Sequence, residues 1–186
     1  MSKCKIENPE IDRIEYFKDS NGISNAICYI KGDSRRFRGR SEGVIVKGNK
    51  VFLYLKPDMT YKLPGGSWEP DESHEDSCKR EIEEEVHMTV HSPVYTGAYI
   101  SVYDKNDPNY MGLKKPSWVD EKIPKDKKWV GYFTEVYGCE YKGKYTGHVN
   151  DEDLDEIIRK GKWYLIEEVY NILLPIHKKA INMLKR

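Results

Sequence analysis

Residues 79–86 read KREIEEEV, so Glu81, Glu83, Glu84 and Glu85 crowd into five consecutive positions. Any fold of this chain must find a place for that charge. The surrounding pattern is helical: Ser73 stands at a capping position, Asp76 follows three residues on, and Glu75 and Asp76 suit the positive end of a helix dipole. Cys78, Ile82 and Val86 then form an apolar stripe at helical spacing. The spacing predicts a helix over 73–86. On it Glu81, Glu84 and Glu85 fall at i, i+3 and i+4, gathered beside the stripe, while Glu83 points elsewhere, near Lys79. Like-charge pairs at this spacing cost a few tenths of a kcal/mol each on an exposed helix, and more where water is partly excluded. Two arrangements offset that cost. One is a solvated acidic face steadied by Lys79 and Arg80; the other is a hard divalent cation, since Mg²⁺ is held through a few carboxylates plus substrate phosphates.

The loop before the helix favours the second arrangement. Pro64, Gly65 and Gly66 make a turn with little side-chain bulk, where a backbone carbonyl can approach a metal or a phosphate closely. Backbone access and an acid cluster then sit at opposite ends of one loop-helix unit.

The rest of the chain divides by punctuation. Residues 1–40 are polar, with one plausible strand at 25–30 and a basic cluster of Arg35, Arg36, Arg38 and Arg40, and read as an extension or edge element. Residues 43–47 and 51–56 are β-rich and separated by Gly48, Asn49 and Lys50, which predicts a hairpin. Strand signal returns in SPVYTGAYISVYD and KWVGYFTEVYGCEY. The Lys-, Asp- and Pro-rich stretch between them, 105–128, is too long for an ordinary connection and reads as a lid or a mobile surface insertion. Start and stop signals predict a helix in NDEDLDEIIRKGK, WYLIEEV reads as a strand running into a turn, and Pro175 opens a last amphipathic helix with Ile176, Ala180, Met183 and Leu184 on one stripe. Strands alternating with helices predict an α/β layered domain.

Composition excludes some partners. The 31 basic and 31 acidic side chains cancel, so neither a nucleic acid polymer nor an anionic membrane is attracted by net charge. Cys4, Cys28, Cys78 and Cys139 lie far apart without zinc-ligand spacing and read as reduced thiols. With no secretion signal and no apolar run of about 18 residues, the expectation is a cytoplasmic protein.

Counting from Gly66, five residues lead to Glu72, seven more to Arg80, and then come Glu81, Ile82, Glu83, Glu84 and Glu85. This resembles the signature of the Nudix hydrolases, Gly-x5-Glu-x7-Arg-Glu-U-x-Glu-Glu-x-Gly-U, with U a bulky aliphatic residue. The match covers 66–88 and departs at one place: His87 stands where the family has Gly, and Met88 fills the last aliphatic position. A left-handed helix cap at His87 costs on the order of 1 kcal/mol and bears on helix exit more than on chemistry.

The resemblance implies an α/β/α sandwich with a mixed β-sheet over 41–186, after an N-terminal extension at 1–40. It implies a hydrolase that cleaves the pyrophosphate linkage of a nucleoside diphosphate joined to another group, with Mg²⁺ or Mn²⁺ on the signature helix. A module that binds or senses a nucleotide without cleaving it is the alternative. By resemblance, Glu84 and Glu85 are the principal metal ligands, Glu81 is a further ligand or base, and the carbonyl of Gly65 completes the shell. Arg80 would hold one carboxylate in place, Glu72 would anchor the loop, and Gly66 and Ile82 are structural positions of the motif. Glu121, Glu135 and Glu152 are candidates for a base outside the signature. Arg36, Arg38, Arg40, Lys56 and Lys62 are candidate phosphate donors, with Arg40 or Lys62 preferred. Trp68 and Tyr103 are expected at the substrate, with Tyr99 on the same strand as Tyr103. Trp163 reads as core and His148 as surface. The arginine-rich extension allows a homodimer, as N-terminal elements do in some ADP-ribose-cleaving relatives.

Overall fold

The computed structural model describes residues 8–55, 59–141 and 161–184. The N-terminal residues are built into the sheet. β1 (Ile11–Lys18) and β2 (Ser24–Ile30) pair antiparallel, and β2 pairs with the start of β3 (Arg36–Lys47) from Ile27↔Arg38 to Tyr29↔Arg36. Residue 40 therefore falls inside a strand. β4 (Lys50–Leu55) turns back from the end of β3 as the predicted hairpin, with Gly48 at φ +59° in the turn. β5 (Tyr61–Lys62) and β8 (Gly161–Leu165) flank β4. On the other edge of β3, β7 (Gly131–Glu140) runs parallel from Phe37↔Gly131 to Val46↔Glu140, and β6 (His91–Val102) pairs antiparallel with β7.

Period-two alternation along β3 decides the layers. Ile45 faces α1 (His74–Val86), whose Cys78, Ile82 and Val86 bury against it with Phe52, Tyr137 and Cys139. Val44 faces the opposite side, where α3 (Ile166–Ile172) and α4 (Pro175–Met183) bury Val169, Ile176, Ala180 and Ile181 against Val44, Val51, Leu53 and Val136. Each fully buried aliphatic side chain contributes roughly 1.5–3 kcal/mol. The result is the α/β/α sandwich with a mixed sheet.

α1 begins as the sequence predicts. Ser73 accepts from the Asp76 amide at 3.0 Å, while its hydroxyl donates to the Asp76 carboxylate at 2.6 Å. It ends on His87 at φ 51°, ψ 40°, so the residue in the glycine position of the motif takes the left-handed conformation itself. Lys79 pairs with Glu75 and Asp76 rather than reaching Glu83. The turn expected after WYLI is instead the helix α3, and Glu168 reaches back to the amide of Leu165 at 3.1 Å to start it. The helix expected in NDEDLDEIIRKGK lies almost wholly outside the described residues, as do Lys56, His148 and Glu152.

The 105–128 connection is anchored rather than free. It carries α2 (Trp118–Lys122), whose Val119 is fully buried and packs with Ile123, Trp129 and Ile27 of β2. Arg35 binds Asp107 at 2.6 Å at the other end of the connection. This segment and the β1–β2 hairpin thus cover each other. Among the described residues no helix is long and apolar enough to cross a membrane.

Candidate active site

β2 pairs with β3 only as far as Arg38, and β4 pairs with it from Val46. The backbone groups between need partners, and the Pro-Gly-Gly loop supplies them. Ser41 N donates to Gly66 O at 3.0 Å, and Gly43 N donates to Pro64 O at 2.9 Å. The approach is close enough to require glycine: a Cβ on Gly65, at φ +155°, would lie 2.2 Å from the carbonyl oxygen of Ser41. A Cβ on Gly66 would lie 2.1 Å from a carboxylate oxygen of Glu81. The loop is therefore pressed between β3 and the acidic edge of α1.

The signature acids divide there. Glu85 accepts from the Tyr54 hydroxyl at 2.9 Å and from the Gly65 amide at 2.8 Å. Glu81 lies against Gly66 and accepts from Arg80 at 2.9 Å. Glu84 is turned outward, 59% exposed, and is bound to Arg80 at 3.2 Å. Arg80 also forks onto Glu72 at 2.8 and 3.1 Å and donates to Ser67 O at 2.9 Å, while Glu72 accepts from the amide of Glu69. The expected gathering of Glu81, Glu84 and Glu85 is thus only partial, because the Arg80 guanidinium supplies the positive charge to two of them. Among the described residues no three acidic, His or Cys side chains converge tightly enough to enclose an ion by themselves. The Gly65 carbonyl, expected to face a metal, accepts from Arg40 Nη2 at 2.8 Å.

These groups border a cavity of about 400 Å³. Glu81 and Glu85 line it together with Arg38, Arg40, Lys62, Tyr54 and Tyr132. Burial pushes the Glu81 carboxyl above the ordinary carboxylate range despite the opposing pull of Arg80. Burial and the Glu85 charge both push the Tyr54 phenol upward, so it stays a donor to Glu85. Burial works against Arg40, yet the carboxylates of Glu42 and Glu85 keep its guanidinium firmly protonated. Glu42 is itself buried between His177 and Tyr99.

Of the residues expected at the substrate, Arg40 and Lys62 line this cavity and two others do not. Trp68 is fully buried, stacked at 3.5 Å on His74 and bound through Nε1 to Ser41 Oγ at 2.8 Å. Its bulk fills the space left by Gly39, where a Cβ would lie 2.4 Å from the ring. Tyr103 stands one layer back, packed edge-on against Tyr132 and accepting from Trp129 Nε1. Tyr99 is buried against Glu42. Among the candidate bases, Glu135 lies in a separate depression, bound to His74 at 3.0 Å and Tyr137 at 2.8 Å, and Glu121 is exposed on α2. Trp163 packs half-buried on the α1 face. Tyr54 and Tyr132 are cavity residues that the sequence did not single out. The preference for Arg40 over Arg38 also missed a usable signal, since two residues along a strand share a face.

A model of the NUDIX domain matches residues 37–186. The chain belongs to the Nudix hydrolase family, a family of pyrophosphohydrolase type. Solved Nudix structures share its fold at low identity. A NUDIX hydrolase from Nitrosomonas europaea is 19% identical at a TM-score of 0.55, over 79% of this chain and 87% of that one. A MutT NUDIX hydrolase from Burkholderia pseudomallei is 16% identical at 0.55, over 78% and 96%. The NUDIX domain of Shewanella oneidensis NrtR, solved in complex with ADP ribose, is 14% identical at 0.53, over 79% and 85%. No curated protein matches the chain. The Nudix model begins within β3, so β1 and β2 lie ahead of the matched region.

Proposed function

We propose that this Nudix chain is a divalent-metal-dependent hydrolase of the pyrophosphate linkage in a nucleoside diphosphate joined to another group, whether a nucleoside triphosphate, a nucleotide sugar or an ADP-ribose type compound. One observation carries the reading: a single cavity is lined both by the carboxylates of Glu81 and Glu85 and by cationic side chains that include Arg40 and Lys62. Acids without such cations would repel a diphosphate, and cations without acids would bind it but hold no metal.

The donor set suits Mg²⁺ or Mn²⁺. Glu81 and Glu85 offer hard oxygens from one helix face, and Gly66 leaves the space beside Glu81 that a side chain would fill. When bound, such an ion neutralises charge on the diphosphate and acidifies a water. Tyr54 and the Gly65 amide donate to the two oxygens of Glu85 and orient it for the ligand role. Glu81, whose proton affinity burial has raised, fits a further ligand or the proton acceptor. Glu84 must leave Arg80 to join them, and Arg80, anchored on Glu72, remains to orient Glu81. Arg40 and Lys62 would bind phosphate oxygens.

The alternative, a module that binds a nucleotide without turnover, draws on the engagement of Glu81 and Glu84 by Arg80. A product-release assay over nucleoside triphosphates, dinucleoside polyphosphates, ADP-ribose and nucleotide sugars, with and without Mg²⁺, decides between them. Mg²⁺-dependent turnover that Glu85→Gln reduces by two or more orders of magnitude is expected, in line with the loss of a principal charge-stabilising group. Tight nucleotide binding with no turnover across the panel would establish the module instead.

A further inference from the structure

The cations around the cavity are not equivalent. Arg80 is bound by Glu72, Glu81 and Glu84, and Arg40 has Glu42 and Glu85 among the charges acting on it. Arg38 also lines the cavity, where burial works against its charge, Tyr132 is its hydrogen-bond partner, and no carboxylate among the described residues forms an ion pair with it. Its Nε, like that of Arg40, is buried without a hydrogen-bond partner among the described residues. Beyond the Tyr132 hydroxyl, what holds it is aromatic. Its guanidinium carbon lies 5.1 Å from the Trp118 ring and 5.4 Å from the Trp129 ring, both at cation–π range. Trp118 and Trp129 come from the connection between β6 and β7 and pack on the β1–β2 hairpin.

Withdrawing a guanidinium from water without an anionic partner is costly, and two ring contacts of roughly 0.5–2 kcal/mol each offset only part of it. An anion in the cavity would offset the rest. Arg38 and Arg40 are alternate residues of β3, so both point to one face about 6–7 Å apart along the strand. A chain of linked phosphates can bridge that spacing.

We propose that Arg38, fixed by Trp118 and Trp129, is a specificity-determining residue that binds a phosphate group additional to the cleaved linkage, so that the preferred substrates are nucleoside triphosphates or longer polyphosphates rather than nucleotides joined to a neutral sugar. The inference rests on the hydrolase reading for its substrate class, but the anion subsite itself does not. The connection at 105–128 then acts as the support of a phosphate-reading arginine.

Two measurements on the full chain test this. In the first, inorganic tripolyphosphate is titrated calorimetrically into the wild type, Arg38→Gln and Glu81→Gln, with and without Mg²⁺. Arg38→Gln is expected to weaken binding by about 10- to 100-fold in both conditions, the worth of a charged hydrogen-bonded contact. Glu81→Gln should weaken it only when Mg²⁺ is present. Absence of saturable binding to the wild type, or an unchanged constant in a folded Arg38→Gln protein, overturns the proposal. Should Arg38→Gln not fold, Arg38→Lys keeps the charge between the rings but loses the planar fork, and a drop of about threefold or more is expected. The second compares kcat/KM for a nucleoside triphosphate and a nucleotide sugar. Arg38→Gln should lower the first at least tenfold more than the second; equal losses would mark Arg38 as merely structural. If the wild type turns over neither these two nor any other compound of the wider panel, the hydrolase reading fails, and the titration alone decides the subsite.

Discussion

Gly65 donates its amide to the Glu85 carboxylate at 2.8 Å, tying the loop to the helix at the cavity wall. Tyr54 binds the other oxygen of Glu85 at 2.9 Å from β4, so loop, helix and sheet meet on one carboxylate. Tyr54→Phe removes that hydroxyl without changing the ring's packing. The Mg²⁺ concentration for half-maximal activity is expected to rise about 10- to 100-fold, as for other residues that orient a ligating carboxylate. An unchanged Mg²⁺ titration would mean that Tyr54 does not position Glu85.

The two adjacent glycines should fail in different ways. In Gly65→Ala the new Cβ meets backbone, 2.2 Å from Ser41 O, at a φ that disfavours L side chains. A stability loss of at least about 1–3 kcal/mol is expected in urea unfolding. In Gly66→Ala the nearest atoms to the Cβ are the carboxylate end of the Glu81 side chain, from 2.1 Å, rather than backbone. That end can swing aside, so stability changes little while turnover falls by up to about 100-fold from misplacement of one acid. Equal stability losses in both variants would contradict this distinction.

Glu81 gives a pH signature. Burial raises its native proton affinity, with Arg80 opposing, so the folded state binds the proton at a higher pH than the unfolded state does. Between those two values folding takes up a proton, and stability falls as pH rises through that window. Glu81→Gln removes the penalty, and in metal-free buffer at neutral pH it should melt at or above the wild-type temperature. The two curves should converge below the unfolded carboxylate value. A variant that melts well below wild type at neutral pH would contradict the assignment.

The opposite sign holds at Glu42. Against the cost of burial, His177, Arg40 and Tyr99 hold its carboxyl below the ordinary range. Its contribution is present above the unfolded carboxylate value and is lost as pH falls through the native one. Glu42→Ala strands buried partners and should cost about 3–5 kcal/mol in denaturant unfolding at neutral pH, with the deficit shrinking in acid. A loss below about 1 kcal/mol would mean that the pair is not coupled to folding.

Legibility in the sequence followed distance along the chain. Helix α1, its Ser73 cap, its buried stripe of Cys78, Ile82 and Val86, and the left-handed exit at His87 were readable because each depends on residues within four positions. The β3–β4 hairpin and the start of α4 at Pro175 followed from equally local turn chemistry. The 66–88 spacing indicated the family and with it the layered fold, which periodicity alone would have left at α/β.

Tertiary structure decided what the residues face. No spacing rule says that Glu84 turns out to Arg80 while Glu85 turns in to Tyr54, since both fit the same helical edge. Trp68 sits in the motif loop, yet the empty space above Gly39 draws it into the core. Arg38 becomes distinctive only when Trp118 and Trp129 fold back over it from beyond β6. Backbone propensity and capping act through neighbours in sequence and so are written into short stretches. Which charge is paired, buried or left facing a cavity depends on contacts between distant segments, and only the packed sheet and its helices bring those together.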